Sequence, residues 1–250
     1  MRSILEFEKI SKSFDNYNVL NSLSFSIPEN KIVGLVGANG AGKTTSIRHM
    51  IRYLTPDSGR ILYNGKDLYS INDADFPISF IPDAPIYYEE LSVMEHLAFV
   101  SAMYNTQSIV SGLIDRFEMS KHLDKAPYQL SKGTKQKLSI MCASLRRYEM
   151  LIADEPFSGL DPQQISTLKA IFKENKDEGK TVLLSTHLLD MVQNLCDYYV
   201  LIDNGALMAQ GTLDELVTNS RCSNVEELYL HLRYKNNDQN FQDETGDQEK

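Results

Sequence analysis

The chain has 250 residues, 42% of them hydrophobic and 24% charged, an ordinary globular balance that fits one large α/β domain with a small appendage. A formal net charge of -9 argues against a nucleic-acid partner, which usually meets a basic excess. Cys142, Cys196 and Cys222 are scattered and odd in number, so neither a zinc site nor a disulfide framework is expected, and a reducing cytosol is the plain reading.

The first residues, Met1 to Phe7, lack a signal-peptide apolar core and enter an alternating pattern at once. No apolar run approaches the roughly 18 residues of a membrane span, so any channel is expected on another polypeptide. Ile4 to Ile10 and Leu23 to Ile27 alternate as half-buried strands do. Ile32 to Val36 is continuously apolar and suits a strand buried on both faces. A glycine-rich turn follows, and a helix is expected from about Lys43.

The middle of the chain reads as helical. Ser92 and Glu95 form a capping-box pattern ahead of Val93, Leu97, Val100 and Tyr104 at helical spacing. A second helical stretch runs to about Glu118. A third starts near Ser131, with Leu138, Met141 and Leu145 on one face. Alternation of α and β then returns. Met150 to Ala153 reads as a buried strand, and Asp161-Pro162 as the cap and first residue of a helix. Thr181 to Ser185 and Tyr198 to Ile202 read as strands, and Asn204-Gly205 as a hairpin turn. Thr212 and Glu215 form another capping box. The segment from Asn224 to Tyr234, with Val225, Leu228 and Leu232 on one face, reads as a C-terminal cap in preference to a docking helix. The expected class is α/β: a mostly parallel sheet, an antiparallel N-terminal β portion and a helical subdomain over about 91–147. The folded domain is expected over 1–233, with a polar acidic tail over 234–250 that has too little to bury and is expected to be disordered.

Three segments carry chemistry. Gly37-Ala38-Asn39-Gly40-Ala41-Gly42-Lys43-Thr44 fits the phosphate-loop pattern between a strand and a helix, with Thr45 continuing the loop into the helix. A triphosphate needs inward N–H groups, glycines that permit close approach, a neutralising Lys43 and a Thr44 hydroxyl for Mg²⁺. Asp154 and Glu155 end the apolar strand. Two adjacent carboxylates there suit a cation partner, with Asp154 on Mg²⁺ and Glu155 turned toward an attacking water. Taken alone, the pair could be a strand end meeting solvent.

Leu130-Ser131-Lys132-Gly133-Thr134-Lys135-Gln136-Lys137 resembles the signature segment of ABC ATPases, written LSGGQ-x-Q-R. Leu130, Ser131, Gly133 and Gln136 match, whereas Lys132 replaces a glycine, Thr134 the first glutamine and Lys137 the arginine. Taken alone, Ser131 is better explained as a helix cap. Ser158-Gly159-Leu160-Asp161 resembles the family's D-loop, and Ser185-Thr186-His187 ends in its switch histidine. The likeness runs from about Ile4 to Val217.

The resemblance implies an ATP-binding, ATP-hydrolysing subunit beneath a separate multi-span permease, attached to the cytoplasmic face of the membrane. It implies a second ATPase subunit, with Ser131 and Gly133 meeting the γ-phosphate of the other subunit's ATP. It also implies His187 at the γ-phosphate and Phe14 stacked on adenine, with Tyr17 as rival and core packing as the bland alternative. Asp83 stands where the family has a glutamine, and is expected to keep a role at the metal. Residues 81–97, Ile47-Arg48-His49 and 131–137 further resemble the Ecs-type ATPases of Gram-positive bacteria, a group linked to peptide export and secretion. The competing readings are a soluble ABC ATPase of DNA repair or the ribosome, a GTPase or small-molecule kinase, and a regulatory subunit that does not hydrolyse. Asn175-Lys176-Asp177-Glu178 has the wrong acid spacing for a guanine-reading motif, and the joint presence of Glu155 and His187 argues against the last reading.

Overall fold

Alternating residues at the N-terminus form β1 (Ser3–Phe14) and β2 (Tyr17–Pro28), an antiparallel pair in the computed structural model, which describes residues 2–218 and 222–234. Both strands run longer than the alternation suggests. Their register shifts between Phe7 and Ile10, and Lys9 and Ser22 take positive φ (52° and 47°). Bulges of this kind rephase the inward face, so a strict period of two breaks while the ladder continues. Phe7 and Phe25 stack across the pair with ring centroids 4.5 Å apart.

The chain forms two compact units, Met1–Ile71 with Ser185–Lys250, and Asn72–Leu184. In the first, β1 and β2 join β4 (Ser58–Tyr63) and β5 (Lys66–Asp67) in the order β2-β1-β4-β5, which is the expected antiparallel portion. β3 (Ile32–Val36) is buried at all five positions and pairs in parallel with β9 (Tyr198–Asp203). β9 turns through Asn204 and Gly205 into β10 (Ala206–Gly211). Both turn residues have positive φ (47° and 71°), as a two-residue hairpin turn demands.

α1 (Lys43–Met50) follows the turn after β3. Its Ile47 and Met50 are fully buried, worth roughly 1.5–3 kcal/mol each against exposure. α6 (Leu189–Val192), α7 (Leu213–Thr218) and α8 (225–234) complete this unit. Thr212 and Glu215 exchange both capping-box bonds ahead of α7. Val225 and Leu228 of α8 are buried, and Leu232 is half-buried. Tyr234, placed by its sequence at the start of the tail, still belongs to α8; the rest of the tail lies outside the described residues.

In the second unit, β6 (Ile78–Ile81), β7 (Met150–Asp154) and β8 (Thr181–Thr186, whose last two residues belong to the first unit) lie in the order β8-β7-β6. β6 and β7 are parallel, with Ile81 opposite Ala153. The helical stretch comprises α2 (Val93–Tyr104), α3 (Val110–Arg116) and α4 (Lys132–Ser144), and α5 (Pro162–Asp177) follows β7. Ser92 and Glu95 cap α2 reciprocally, and Asp161 and Gln164 do the same for α5. Leu138, Met141 and Leu145 are all buried, as their spacing predicts. No helix among the described residues is long and apolar enough to cross a membrane.

Candidate functional site

The first unit holds the phosphate-loop residues. β3 delivers Gly37 beside Ile202, the residue after β3's last partner Leu201. A Cβ at Gly37 would sit 2.5 Å from the Ile202 carbonyl oxygen and 2.8 Å from Ala41 Cβ, so only glycine fits. Gly40 and Gly42 have positive φ (82° and 102°), which curls the chain into α1. No side chain caps α1 at Gly42, so the helix begins as a cluster of N–H groups with the positive end of its dipole.

Lys43 is buried, and its ammonium donates to the carbonyls of Gly37 (2.8 Å) and Ala38 (3.2 Å). The lysine therefore curls back into its own loop. Thr44 is exposed at the mouth. The loop is braced from behind. The Gly205 N–H donates to the Ala41 carbonyl at 3.1 Å, and the Ala38 N–H donates to the Tyr229 hydroxyl at 2.8 Å.

Phe14 and Tyr17 face each other across the β1–β2 turn, and both are exposed rather than core. The Lys12 ammonium lies 5.7 Å from the Phe14 ring centre, a cation–π distance. His187 is the first residue beyond β8 and is exposed. His49 lies on the buried face of α1, its Nδ1 2.7 Å from the Thr45 carbonyl. Burial lowers its pKa below the ordinary 6.5.

The second unit gathers the carboxylates and the signature segment. Because Ile81 is opposite Ala153, Asp154 is one residue beyond that pair and Asp83 two residues beyond it, at the same end of two parallel strands. Asp154 is buried, Asp83 exposed, and Glu155 half-buried. Glu155 has φ +44°, a left-handed conformation that is strained for a residue with a side chain. It turns the chain off the strand at the second carboxylate.

Ser131 is the N-cap of α4, its Oγ accepting the Thr134 N–H at 3.2 Å and lying 2.8 Å from the Thr134 hydroxyl. The cap reading of Ser131 is thus correct as far as it goes, and its hydroxyl remains at the exposed helix start. Gly133 is buried, and a Cβ there would lie 2.7 Å from Gln164 Oε1. The Tyr87 hydroxyl donates to the Lys135 carbonyl, tying the segment after Asp83 to the first turn of α4.

Sequence reasoning missed Tyr229, Gln164 and the partner of Lys132, whose ammonium donates to Ser158 Oγ. Tyr229 lies within the segment read as a cap, but its apolar spacing gave no weight to a hydroxyl.

In the second unit, Asp154 and Asp83 bring two carboxylates to one strand end, hard oxygen donors of the kind that suit Mg²⁺ by chemistry.

Comparison with known proteins agrees with this arrangement. The sequence profile described as ABC transporter matches residues 20–158. The chain is 38% identical over 238 residues to the ABC-type transporter ATP-binding protein EcsA of Bacillus subtilis, covering 92% of this chain and 96% of that one. It is 31% identical to the lantibiotic transport ATP-binding protein SrtF of Streptococcus pyogenes, covering 90% and 96%. A solved structure described as the ATP binding subunit of an ABC transporter superposes with a TM-score of 0.85 at 36% identity, covering 92% of this chain and all of that one. With that coverage, and with strand, loop and carboxylates in the family's order, the chain belongs to the ATP-binding, ATP-hydrolysing subunits of ABC transporters.

Proposed function

We propose that the described residues up to 233 form one ATPase domain that powers a separate multi-span permease from the cytoplasmic face of the membrane. The observation that carries the site assignment is the phosphate loop: a buried strand, glycines with positive φ, an uncapped α1 and Lys43 folded onto the Gly37 carbonyl. Residues Gly37 to Thr45 cradle the triphosphate of ATP, with Lys43 moving from the carbonyls to the β- and γ-phosphates. Phe14 stacks on the adenine. Thr44, Asp154 and Asp83 would hold Mg²⁺, which would supply charge neutralisation at the phosphates.

Glu155 orients the attacking water and accepts its proton, while Lys43 and His187 stabilise charge on the transferring phosphoryl group. Ser131 and the Gly133 N–H receive the γ-phosphate of ATP held by a second ATPase subunit, so that ATP closes the pair and hydrolysis reopens it. The likeness to a relative named for lantibiotic transport, together with the Ecs-type resemblance, supports a role in peptide export or secretion.

Glu155→Gln separates these steps. It is expected to bind ATP, to lose at least about 100-fold in turnover and to become dimeric with ATP by light scattering. Parental turnover would remove Glu155 from the chemistry, and a monomer at saturating ATP would remove the sandwich. Gentle detergent extraction of the tagged chain is expected to bring a multi-span protein with it in stoichiometric amount; recovery without one removes the permease.

A further inference from the structure

The Gly37–Ala38 peptide group is held at both ends. Its carbonyl accepts from Lys43 Nζ at 2.8 Å, and its N–H donates to the Tyr229 hydroxyl at 2.8 Å, across 191 residues of sequence. Tyr229 is itself set in place. The residue is 6% exposed on α8, beside the buried Leu228 in sequence and bonded to the last residue of β9. Its O–H points to Asp203 Oδ1 at 3.5 Å, and Asn204 Nδ2 and Arg233 Nε lie 3.2 and 3.8 Å from the other Asp203 oxygen. The hydroxyl thus has a carboxylate to donate to and is left to accept from Ala38.

We propose that Tyr229 is a positioning residue for ATP binding: it fixes the plane of the Gly37–Ala38 peptide, and through it the resting place of Lys43 and the curvature of the phosphate loop. Three physical points support this. Ala38 is half-buried, so its N–H without Tyr229 would be poorly satisfied, and the peptide would be free to rotate. The second brace, Gly205 N–H to the Ala41 carbonyl, holds only the far side of the loop. A phosphate site pays for disorder at the moment of binding, so a loop held in shape beforehand binds more tightly. The contact reaches Lys43 only through the Gly37 carbonyl, which Lys43 leaves when it engages the phosphates, so it acts on binding and not on the chemical step.

The inference rests on the reading of Gly37–Thr45 as the phosphate loop. The test is made on the full chain, with the dissociation constant for Mg-ATP from displacement of a fluorescent analogue and kcat and KM from phosphate release. Tyr229→Phe keeps the ring and removes the hydroxyl. It is expected to raise the ATP dissociation constant and KM about fivefold, with kcat within about twofold of the parent. Ala38→Pro removes the N–H without touching α8, and is expected to raise both constants similarly. In the double variant Tyr229→Phe should add nothing, because its partner is already gone.

A parental dissociation constant in folded Tyr229→Phe overturns the proposal. So does an effect of Tyr229→Phe that persists in full beside Ala38→Pro, which would mean the ring packing or α8 itself is responsible. If Tyr229→Phe does not fold, Ala38→Pro alone decides, and parental constants there overturn the proposal. Lys43→Ala in the same assay should abolish ATP binding; unchanged binding there removes the phosphate-loop reading and the Tyr229 role together, whereas lost binding with parental Tyr229→Phe removes only the latter.

Discussion

Lys132 Nζ donates to Ser158 Oγ at 3.1 Å, joining the start of α4 to the turn after Glu155. The relationship depends on a departure from the family pattern, since Lys132 stands where the signature segment has a glycine. The lysine stem lies over Gly159, which has φ +74°, and a Cβ on Gly159 would meet Lys132 Cδ at 2.7 Å. The Ser158 N–H in turn donates to the Glu155 carbonyl at 3.1 Å. The signature helix therefore reaches the residue proposed as general base through one side chain and one turn.

Gly159→Ala should strain the turn in two ways, by φ and by contact with Lys132. The φ part is worth about 1–2 kcal/mol. Lys132→Gly removes the second part only, so Gly159→Ala should be less destabilising beside Lys132→Gly than alone. Thermal melting of the four proteins in the cycle gives the difference directly. Equal effects in both backgrounds would show that the flexible lysine simply moves aside.

The glycines of the phosphate loop should not be equivalent. Gly37→Ala drives a methyl into the Ile202 carbonyl at 2.5 Å, a backbone clash that cannot relax by side-chain motion, and should cost about 1–3 kcal/mol and most ATP binding. Gly40→Ala meets no atom within 4 Å and pays only for φ +82°. Nucleotide titration and melting should rank Gly37→Ala as the more damaging. The reverse order would mean that Gly40's conformation, and not the packing at Gly37, limits the loop.

These differences explain what was legible in the sequence. The β3–loop–α1 unit, the β7 carboxylates and the capping boxes are specified by residues close together in the chain, so their spacing alone describes them. The alternation of β1 stops at Ile10 because the register shifts again between Ile10 and Lys12 and between Lys12 and Ser13, and β4 carries little pattern because Ser58 to Arg60 are exposed. The contacts Tyr229–Ala38 and Lys132–Ser158 join distant residues through polar atoms that follow no periodicity. Gly133 was readable as a signature glycine, but the group that a side chain there would meet, the Gln164 amide, needs the fold.

Asp83 tests how a carboxylate serves where the family has an amide. It lies at the same strand end as Asp154, yet is exposed while Asp154 is buried. Asp83→Ala should reduce Mg-dependent turnover about tenfold, as loss of a supporting metal contact commonly does. Asp83→Gln should retain more activity than Asp83→Ala, with a higher Mg²⁺ requirement because one negative charge is gone. Turnover in Asp83→Ala equal to the parent across a Mg²⁺ titration would free the residue from any metal role.

His49 should make the first unit sensitive to acid. Its Nδ1 lies 2.7 Å from the Thr45 carbonyl, so the proton of the neutral ring resides there, and the buried Nε2 has no hydrogen-bond partner among the described residues. A second proton would place a charge on a buried ring, and burial, aided by the nearby Lys12 charge and only partly opposed by the Thr45 and Thr55 carbonyls and Asp57, lowers the pKa below 6.5. The unfolded chain then binds more protons than the folded one in the interval between the lowered value and 6.5. Stability must rise with pH across that interval, and fall as pH drops from 6.5 toward the folded value, by at most about 1.4 kcal/mol per pH unit. His122 is also lowered by burial and shifts the total in the same sense, so the comparison must be differential. His49→Gln cannot titrate, and its melting temperature should fall less steeply between pH 7 and about pH 5.5 than that of the parent, whatever its absolute stability. Parallel curves would mean that α1 accommodates a charged His49, and that the ring behind the phosphate loop does not take part in acid unfolding.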